Sequence, residues 1–103
     1  MTRPAVLTPV AGADLEGAVE WISDDNPDAA QRLIEAVQGA ARLIGHHPAI
    51  GARRPNVPPH FRFWPLRGFS YLIVYSDAIT SPRILRIVHM SRDLPSVLAG
   101  VRE

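Results

Sequence analysis

The spacing of hydrophobic and polar positions changes near residue 50 of this chain. Before that point apolar residues recur every three or four positions, which is the period of a helix with one buried face. After about residue 60 they form short runs rich in aromatic and β-branched residues, which is typical of strands. The pattern therefore predicts helices in the first half of the chain and a sheet in the second half.

Two helices are predicted, and each has a clear start signal. Thr8 is a suitable N-cap in front of Pro9, and Asn26 is followed by a proline in the same way. Gly45 is predicted to end the second helix, because glycine often follows the last helical residue. The link between the two apolar stripes is short, so the helices should form an antiparallel hairpin.

Four strands are predicted, at residues 3–8, 60–66, 69–76 and 83–90. A proline-rich stretch over residues 45–59 should be an ordered, extended loop. The order of elements is then β-α-α-β-β-β. This is an α+β fold in which the helical hairpin packs on one face of a small, mainly antiparallel sheet. The chain is long enough for one core, so we expect a single domain over residues 1–103.

Both faces of the predicted sheet carry apolar side chains. Strict alternation along the last strand places Leu85 on the same face as Ile87 and His89, and places Ile84 on the other face with Val88. Two helices can cover only one side of such a sheet. We therefore expect a partner to cover the remaining side, or a groove around it.

Charge divides the chain into two unlike halves. Residues 1–50 hold three arginines against seven acidic residues, whereas residues 51–103 hold eight arginines against three. The second half is therefore expected to meet an anionic partner. The sequence has no cysteine for a disulfide or thiolate site and no apolar run long enough for a membrane span. Its first ten residues lack the extended apolar core of a signal peptide, so we expect none. We expect a cytoplasmic protein.

Metal and nucleic-acid sites are weakly supported by the sequence. His46 and His47 are adjacent but lack the ligand spacing of a metal site, so neither a metal nor a cofactor is expected. Several arginines alternate with aromatic residues in the second half, as in some phosphate-binding surfaces. No recognition motif for nucleic acid accompanies them.

The stretch ILRIVHMSRD, residues 84–93, holds the strongest candidate for chemistry. His89 could exchange protons at neutral pH, and Arg86 and Arg92 could stabilise negative charge, as a ribonuclease requires. Asp93 could equally pair with an arginine and fix the end of the strand. The chain contains no lysine, and no glutamate occurs between Glu35 and Glu103.

The order and spacing of several segments resemble the RelE/ParE superfamily of bacterial toxins from type II toxin–antitoxin systems, and its ParE branch in particular. These segments are LTPVAGADLEGAVEWI, NPDAAQRLIEAV, HPAIGARRP, FSYLIVYSD and ILRIVHMSRDL. The resemblance implies the same β-α-α-β-β-β fold. It also implies a cognate ParD-like antitoxin that binds the toxin in a hetero-oligomer and makes the DNA contacts of the complex. ParE-like toxins poison DNA gyrase without being enzymes, whereas RelE-like members cleave mRNA on the ribosome.

The resemblance gives site residues for each alternative. The expected target-binding residues are Arg86, His89, Arg92 and Asp93. The expected antitoxin-binding residues are Trp64, Phe69, Tyr71, Tyr75, Arg53 and Arg54. A ribonuclease would instead use His89, Arg86 and Arg62 as its catalytic set, but the chain lacks the C-terminal tyrosine and the general base of such enzymes. The gyrase-directed toxin is therefore preferred, with the ribonuclease and a non-toxic antitoxin-binding module as alternatives.

Overall fold

The computed structural model describes residues 3–77 and 81–101. The elements follow the order β1 (Val6–Leu7), α1 (Pro9–Ser23), α2 (Pro27–His46), β2 (Phe61–Leu66), β3 (Tyr71–Ser76), β4 (Arg83–His89) and α3 (Leu94–Leu98). The sheet has the order β1-β4-β3-β2, in which β1 is parallel to β4 and the other neighbours are antiparallel. The predicted α+β fold and its order of elements are confirmed, with α3 as an addition that the sequence pattern does not predict.

Both predicted helix starts are confirmed by hydrogen bonds. The Thr8 hydroxyl oxygen accepts a bond from the Ala11 backbone N–H at 3.2 Å. The same hydroxyl donates to the Leu85 carbonyl at 3.2 Å, which ties the start of α1 to β4. At the second start, the Asn26 side-chain oxygen accepts from the Ala29 N–H at 3.0 Å. Each cap satisfies one of the backbone donors that a helix N-terminus leaves free.

Gly45 does not end α2, which continues to His46. Its role is steric, because a Cβ atom at this position would lie 2.1 Å from the Arg3 carbonyl oxygen. The N-terminal segment crosses α2 here, and the Ala5 N–H donates to the Ala41 carbonyl at 2.8 Å. The prediction of a helix end at Gly45 was therefore wrong, since the glycine permits close backbone packing instead.

The sheet separates two hydrophobic clusters. The cluster on the hairpin side lies between the sheet and the helices α1 and α2. The cluster on the other side, which we call the α3 side, includes Phe61, Phe63 and Val97. Helix α3 packs there through Val97, which is 7% exposed. The chain thus covers part of the second face itself. Of the two surfaces expected for a partner, the whole side is too broad, and a groove on this side stays a prediction.

A β-bulge in β4 changes which side chains face the helices. The register between β3 and β4 shifts between Val74 and Tyr75, and Leu85 has no partner in β3. Ile84 and Ile87 both belong to the hairpin-side cluster, while Leu85 lies on the α3 side. The predicted alternation, which grouped Leu85 with Ile87, was wrong because one extra residue in a strand reverses the faces beyond it.

Candidate partner-binding surfaces

Tyr75 fixes the loop that follows α2. Its hydroxyl donates to the Pro48 carbonyl at 2.6 Å and accepts from the Gly51 N–H at 2.9 Å. The side chain is 0% exposed, and this burial raises the pKa of Tyr75 above its usual value. The structure therefore places this predicted antitoxin-binding residue in the interior, where it can influence a partner only through the position of residues 48–51.

Arg62 holds the same loop from β2. Its guanidinium forms an ion pair with Asp77 through Nε. Its Nη1 donates to the carbonyls of Ala49 at 3.0 Å and Gly51 at 2.9 Å. The side chain is only 11% exposed. Arg62 thus has three hydrogen-bonding partners, and two of these bonds hold the loop after α2 against the sheet.

A groove of about 540 Å³ opens on the α3 side of the sheet. Its lining residues are Arg54, Pro55, Asn56, Val57, Pro58, Phe61, Phe63, Leu94, Pro95, Leu98, Ala99 and Val101. We call it the α3 groove. The Arg54 guanidinium carbon lies 4.8 Å from the centre of the Phe63 ring, which is a cation–π contact. The described lining residues include this arginine and no carboxylate, so the groove combines an apolar floor with a positive rim.

The predicted antitoxin-binding residues are divided between the two sides of the sheet. Arg54 lines the α3 groove, and Arg53 next to it is exposed. Trp64, Phe69 and Tyr71 instead pack, half-buried, against the core on the hairpin side. A single straight segment of a partner cannot contact both groups, because the sheet lies between them.

The second candidate surface is a notch of about 200 Å³ between α1 and β4, which we call the β4 notch. The Asp14 carboxylate accepts two bonds from Arg86, at 2.8 Å from Nε and 3.1 Å from Nη2. It also accepts from the Ile87 N–H at 3.0 Å, beyond the point where β1 stops pairing with β4. This hydrogen bonding raises the pKa of Arg86. Arg86 is thus held in place, partly buried, by a carboxylate that serves as a substitute for a neighbouring strand.

Exposed polar side chains surround the β4 notch. His89 and Arg92 line it together with Arg86, and Asp93 lines an adjoining depression with both arginines. The His89 Nδ1 accepts from the Ser91 N–H at 3.1 Å, and its ring meets Tyr71 edge-on. The structure thus brings the four predicted target-binding residues together at one end of β4.

Asp93 has a local partner rather than an arginine among the described contacts. Its carboxylate accepts a bond from the Ser96 hydroxyl at 2.6 Å, across the first turn of α3. Both residues are exposed. This bond positions Asp93 at the start of α3, next to the β4 notch.

The alternative catalytic set is not brought together by the sheet. Arg62 lies opposite Tyr75 of β3, whereas His89 lies opposite Tyr71. Four residues along β3 and two strand spacings separate them, which corresponds to about 16 Å between their backbones at ~3.3 Å per residue and ~4.8 Å per strand. Arg62 is also bonded to Asp77 and to the carbonyls of Ala49 and Gly51, so the structure does not hold its guanidinium beside His89.

Asp14 is the residue of the β4 notch that the sequence interpretation missed. It lies three positions after Ala11 and four before Ala18, both of which are buried on α1. A charged residue on the buried face of a helix is a signal that it has a polar partner. The partner itself could not be identified, because Arg86 is 72 positions away along the chain.

The described residues provide neither a cluster of metal ligands nor a helix that could span a membrane. No group of three potential metal ligands occurs within residues 3–77 and 81–101. His46 and His47 have ring centres 6.3 Å apart at the end of α2. None of the helices in the described part of the chain is long and apolar enough to span a membrane.

Known proteins share both the sequence features and the fold. Residues 5–94 match the family described as ParE toxin of type II toxin–antitoxin system, parDE. A chain of the chromosomal ParDE TA system from P. aeruginosa has a similar structure, with a TM-score of 0.71 and 21% sequence identity over 84% of this chain and 94% of that chain. No curated protein is detectably similar in sequence. The family match spans most of the chain and confirms the expected resemblance: this chain belongs to the ParE toxin family and is the toxin component of a type II toxin–antitoxin system.

Proposed function

We propose that this toxin acts by binding DNA gyrase, and that a ParD-like antitoxin neutralises it. The observation that carries the proposal is the match to the ParE toxin family over residues 5–94. Binding rather than catalysis is supported by the geometry, since Arg62 and His89 lie at different ends of the sheet. Arg62 is also bonded to Asp77 and to two carbonyls of the loop after α2. The exposed residues His89, Arg92 and Asp93 then serve recognition of the target.

The α3 groove is the best-formed site for the antitoxin. Above the buried rings of Phe61 and Phe63, its lining includes the partly exposed side chains of Val57, Leu94 and Leu98, which a partner's apolar side chains could cover. Arg54 and the neighbouring Arg53 favour acidic groups beside those apolar side chains. A segment with alternating apolar and acidic residues, helical or extended, matches this combination.

Occupation of the groove would also obstruct the target-binding residues. Helix α3 separates the two sites, because Leu94 and Leu98 line the groove while Ser96 and Val97 line a depression with Arg92. An antitoxin segment against α3 therefore lies within a helix diameter, about 10 Å, of Arg92. This proximity explains how binding in one groove can block contact with a target at the other surface.

The groove assignment predicts a charge-dependent loss of antitoxin binding. Arg54→Glu is expected to weaken binding of the purified antitoxin at least about tenfold, because it reverses the charge at the rim and removes the cation–π contact with Phe63. Arg32→Glu, which reverses an exposed charge on α2, is the matched control and should change the affinity less than about twofold. Titration calorimetry measures both. Equal effects of the two substitutions would remove the groove as the antitoxin site.

The target assignment is tested with the wild-type toxin. Added to DNA gyrase in a purified supercoiling reaction, it is expected to inhibit supercoiling and to trap cleaved DNA, and the antitoxin should prevent both effects. If the supercoiling activity is unchanged and no cleaved DNA accumulates on the enzyme, gyrase is rejected as the target. Primer extension that shows cuts in translated mRNA, abolished by His89→Ala, would favour the ribonuclease. Harmless overexpression of a folded toxin would favour a non-toxic binding module.

A further inference from the structure

The outer face of α1 carries the most exposed large apolar side chain on the described surface. Trp21, in the last turns of the helix, is 77% exposed, and Val10 at the helix start is 54% exposed. Gly17 lies one turn before Trp21, and a Cβ built at Gly17 would meet no atom within 4 Å. The face thus has a shallow depression at Gly17 next to the exposed indole ring of Trp21. An exposed tryptophan of this kind is a typical centre of a binding interface.

This face is continuous with the β4 notch and remote from the α3 groove. Gly17 itself lines the notch beside Arg86, His89 and Arg92. Residues four apart on a helix lie on the same face, so Trp21 extends the same surface by one turn. Helix α1 packs on the hairpin side of the sheet, whereas the α3 groove opens on the other side. Trp21 is therefore separated from the proposed antitoxin site by the sheet.

The charges around Trp21 indicate the chemistry of its partner. Glu20 directly precedes Trp21 and Glu16 lies one turn before Glu20 on α1, and Asp24 and Asp25 follow Trp21 at the end of the helix and in the turn to α2. All four are exposed. A second copy of the toxin would bring two such acidic faces together, which is repulsive. An apolar pocket bordered by basic side chains is the complementary surface.

We propose that the outer face of α1, anchored by Trp21, is a second contact surface for the toxin's target protein, where it fits an apolar pocket bordered by basic side chains. This proposal rests on the proposed function, because it assumes that the toxin acts on a protein. The outer face of α1 and the β4 notch then form one continuous target-binding surface. This surface is acidic and apolar at α1 and basic at His89 and Arg92. The target must then offer basic groups on one side of its binding surface and acidic groups on the other.

The test is a separation of toxicity from antitoxin binding. Trp21→Ala is expected to reduce growth arrest, measured by surviving colonies at equal toxin levels, at least about tenfold, because an interface tryptophan commonly dominates the affinity. Its antitoxin affinity and its oligomeric state should match those of the wild type. Ile50→Ala removes another exposed apolar side chain, on the loop after α2, and should leave toxicity unchanged.

A pair of charge reversals tests the chemistry of the partner. Glu20→Lys next to Trp21 should reduce growth arrest at least about fivefold, whereas Glu35→Lys at an exposed position of α2 should not. Equal toxicity of Glu20→Lys and Glu35→Lys would contradict a basic partner surface. Far-UV circular dichroism shows that each variant is folded.

The other possible results show which molecule, if any, contacts the outer face of α1. If Trp21→Ala is as toxic as the wild type, the docking surface is rejected while the proposed function stands. If Trp21→Ala loses antitoxin binding, the antitoxin occupies this face and the proposal is wrong. A loss of self-association would identify a second copy instead. A wild-type toxin that does not arrest growth rejects the proposed function and the docking surface together.

Discussion

Gly45→Ala is expected to lower the free energy of unfolding by about 3 kcal/mol, as for a severe case of overpacking. The added Cβ would lie 2.1 Å from the Arg3 carbonyl oxygen and 2.9 Å from the Pro4 Cα. Both atoms belong to backbone, so no side chain can rotate away to make room. The N-terminal segment would have to move off α2 and lose the bond from Ala5 to Ala41. Urea denaturation followed by circular dichroism measures the change.

Gly39→Ala is the matched control on the same helix. A Cβ at this position would meet only the end of the Arg42 side chain, at 3.9 Å. Because alanine favours the helix more than glycine does, this variant should be more stable than the wild type by about 0.5–1 kcal/mol. If both substitutions raise the free energy of unfolding, or both lower it, the close backbone approach at Gly45 does not determine the effect of Gly45→Ala.

Asp14→Ala is expected to lower the free energy of unfolding by about 2–3 kcal/mol, because it leaves a partly buried cation without its partner. Arg86 would lose both of its carboxylate bonds while its side chain is only 22% exposed. The Ile87 N–H would lose its acceptor as well. Glu16→Ala, at an exposed position two residues later, should change the stability by less than about 0.5 kcal/mol. Similar losses for both variants would mean that the pair with Arg86 contributes little.

The sequence predicted the elements whose signals are local. Thr8 and Asn26 bond to backbone groups three residues away, so their neighbours alone determine the helix starts. Helix α3 has no such signal, because it has only five residues and its N-cap Asp93 makes no side-chain cap bond. It is held by long-range packing of Val97 on the sheet. The bulge at Leu85 could not be predicted either, since either register places apolar residues of this strand on both faces of the sheet.

The candidate surfaces could be predicted only in part for the same reason. Arg86, His89 and Arg92, which the sequence places close together along one strand and its following turn, line the same notch. The sequence does not show that Arg86 pairs with Asp14, because that contact joins distant parts of the chain. Nor does it show that Tyr75 points inward, since a tyrosine in a strand can serve as core or as surface until the packing of the loop is known.

The anchored loop after α2 has a consequence for the rate at which complexes dissociate. Tyr75 and Arg62 hold residues 48–51, and Ala52 exchanges two backbone bonds with Phe63 at 3.0 and 2.9 Å. The chain is therefore fixed up to the position where Arg54 begins the wall of the α3 groove. If the antitoxin binds in the α3 groove as proposed, this pre-organised wall loses little conformational entropy on association, and the ordering cost falls mainly on the antitoxin segment. Related antitoxins should then associate at similar rates and differ chiefly in how long they stay bound.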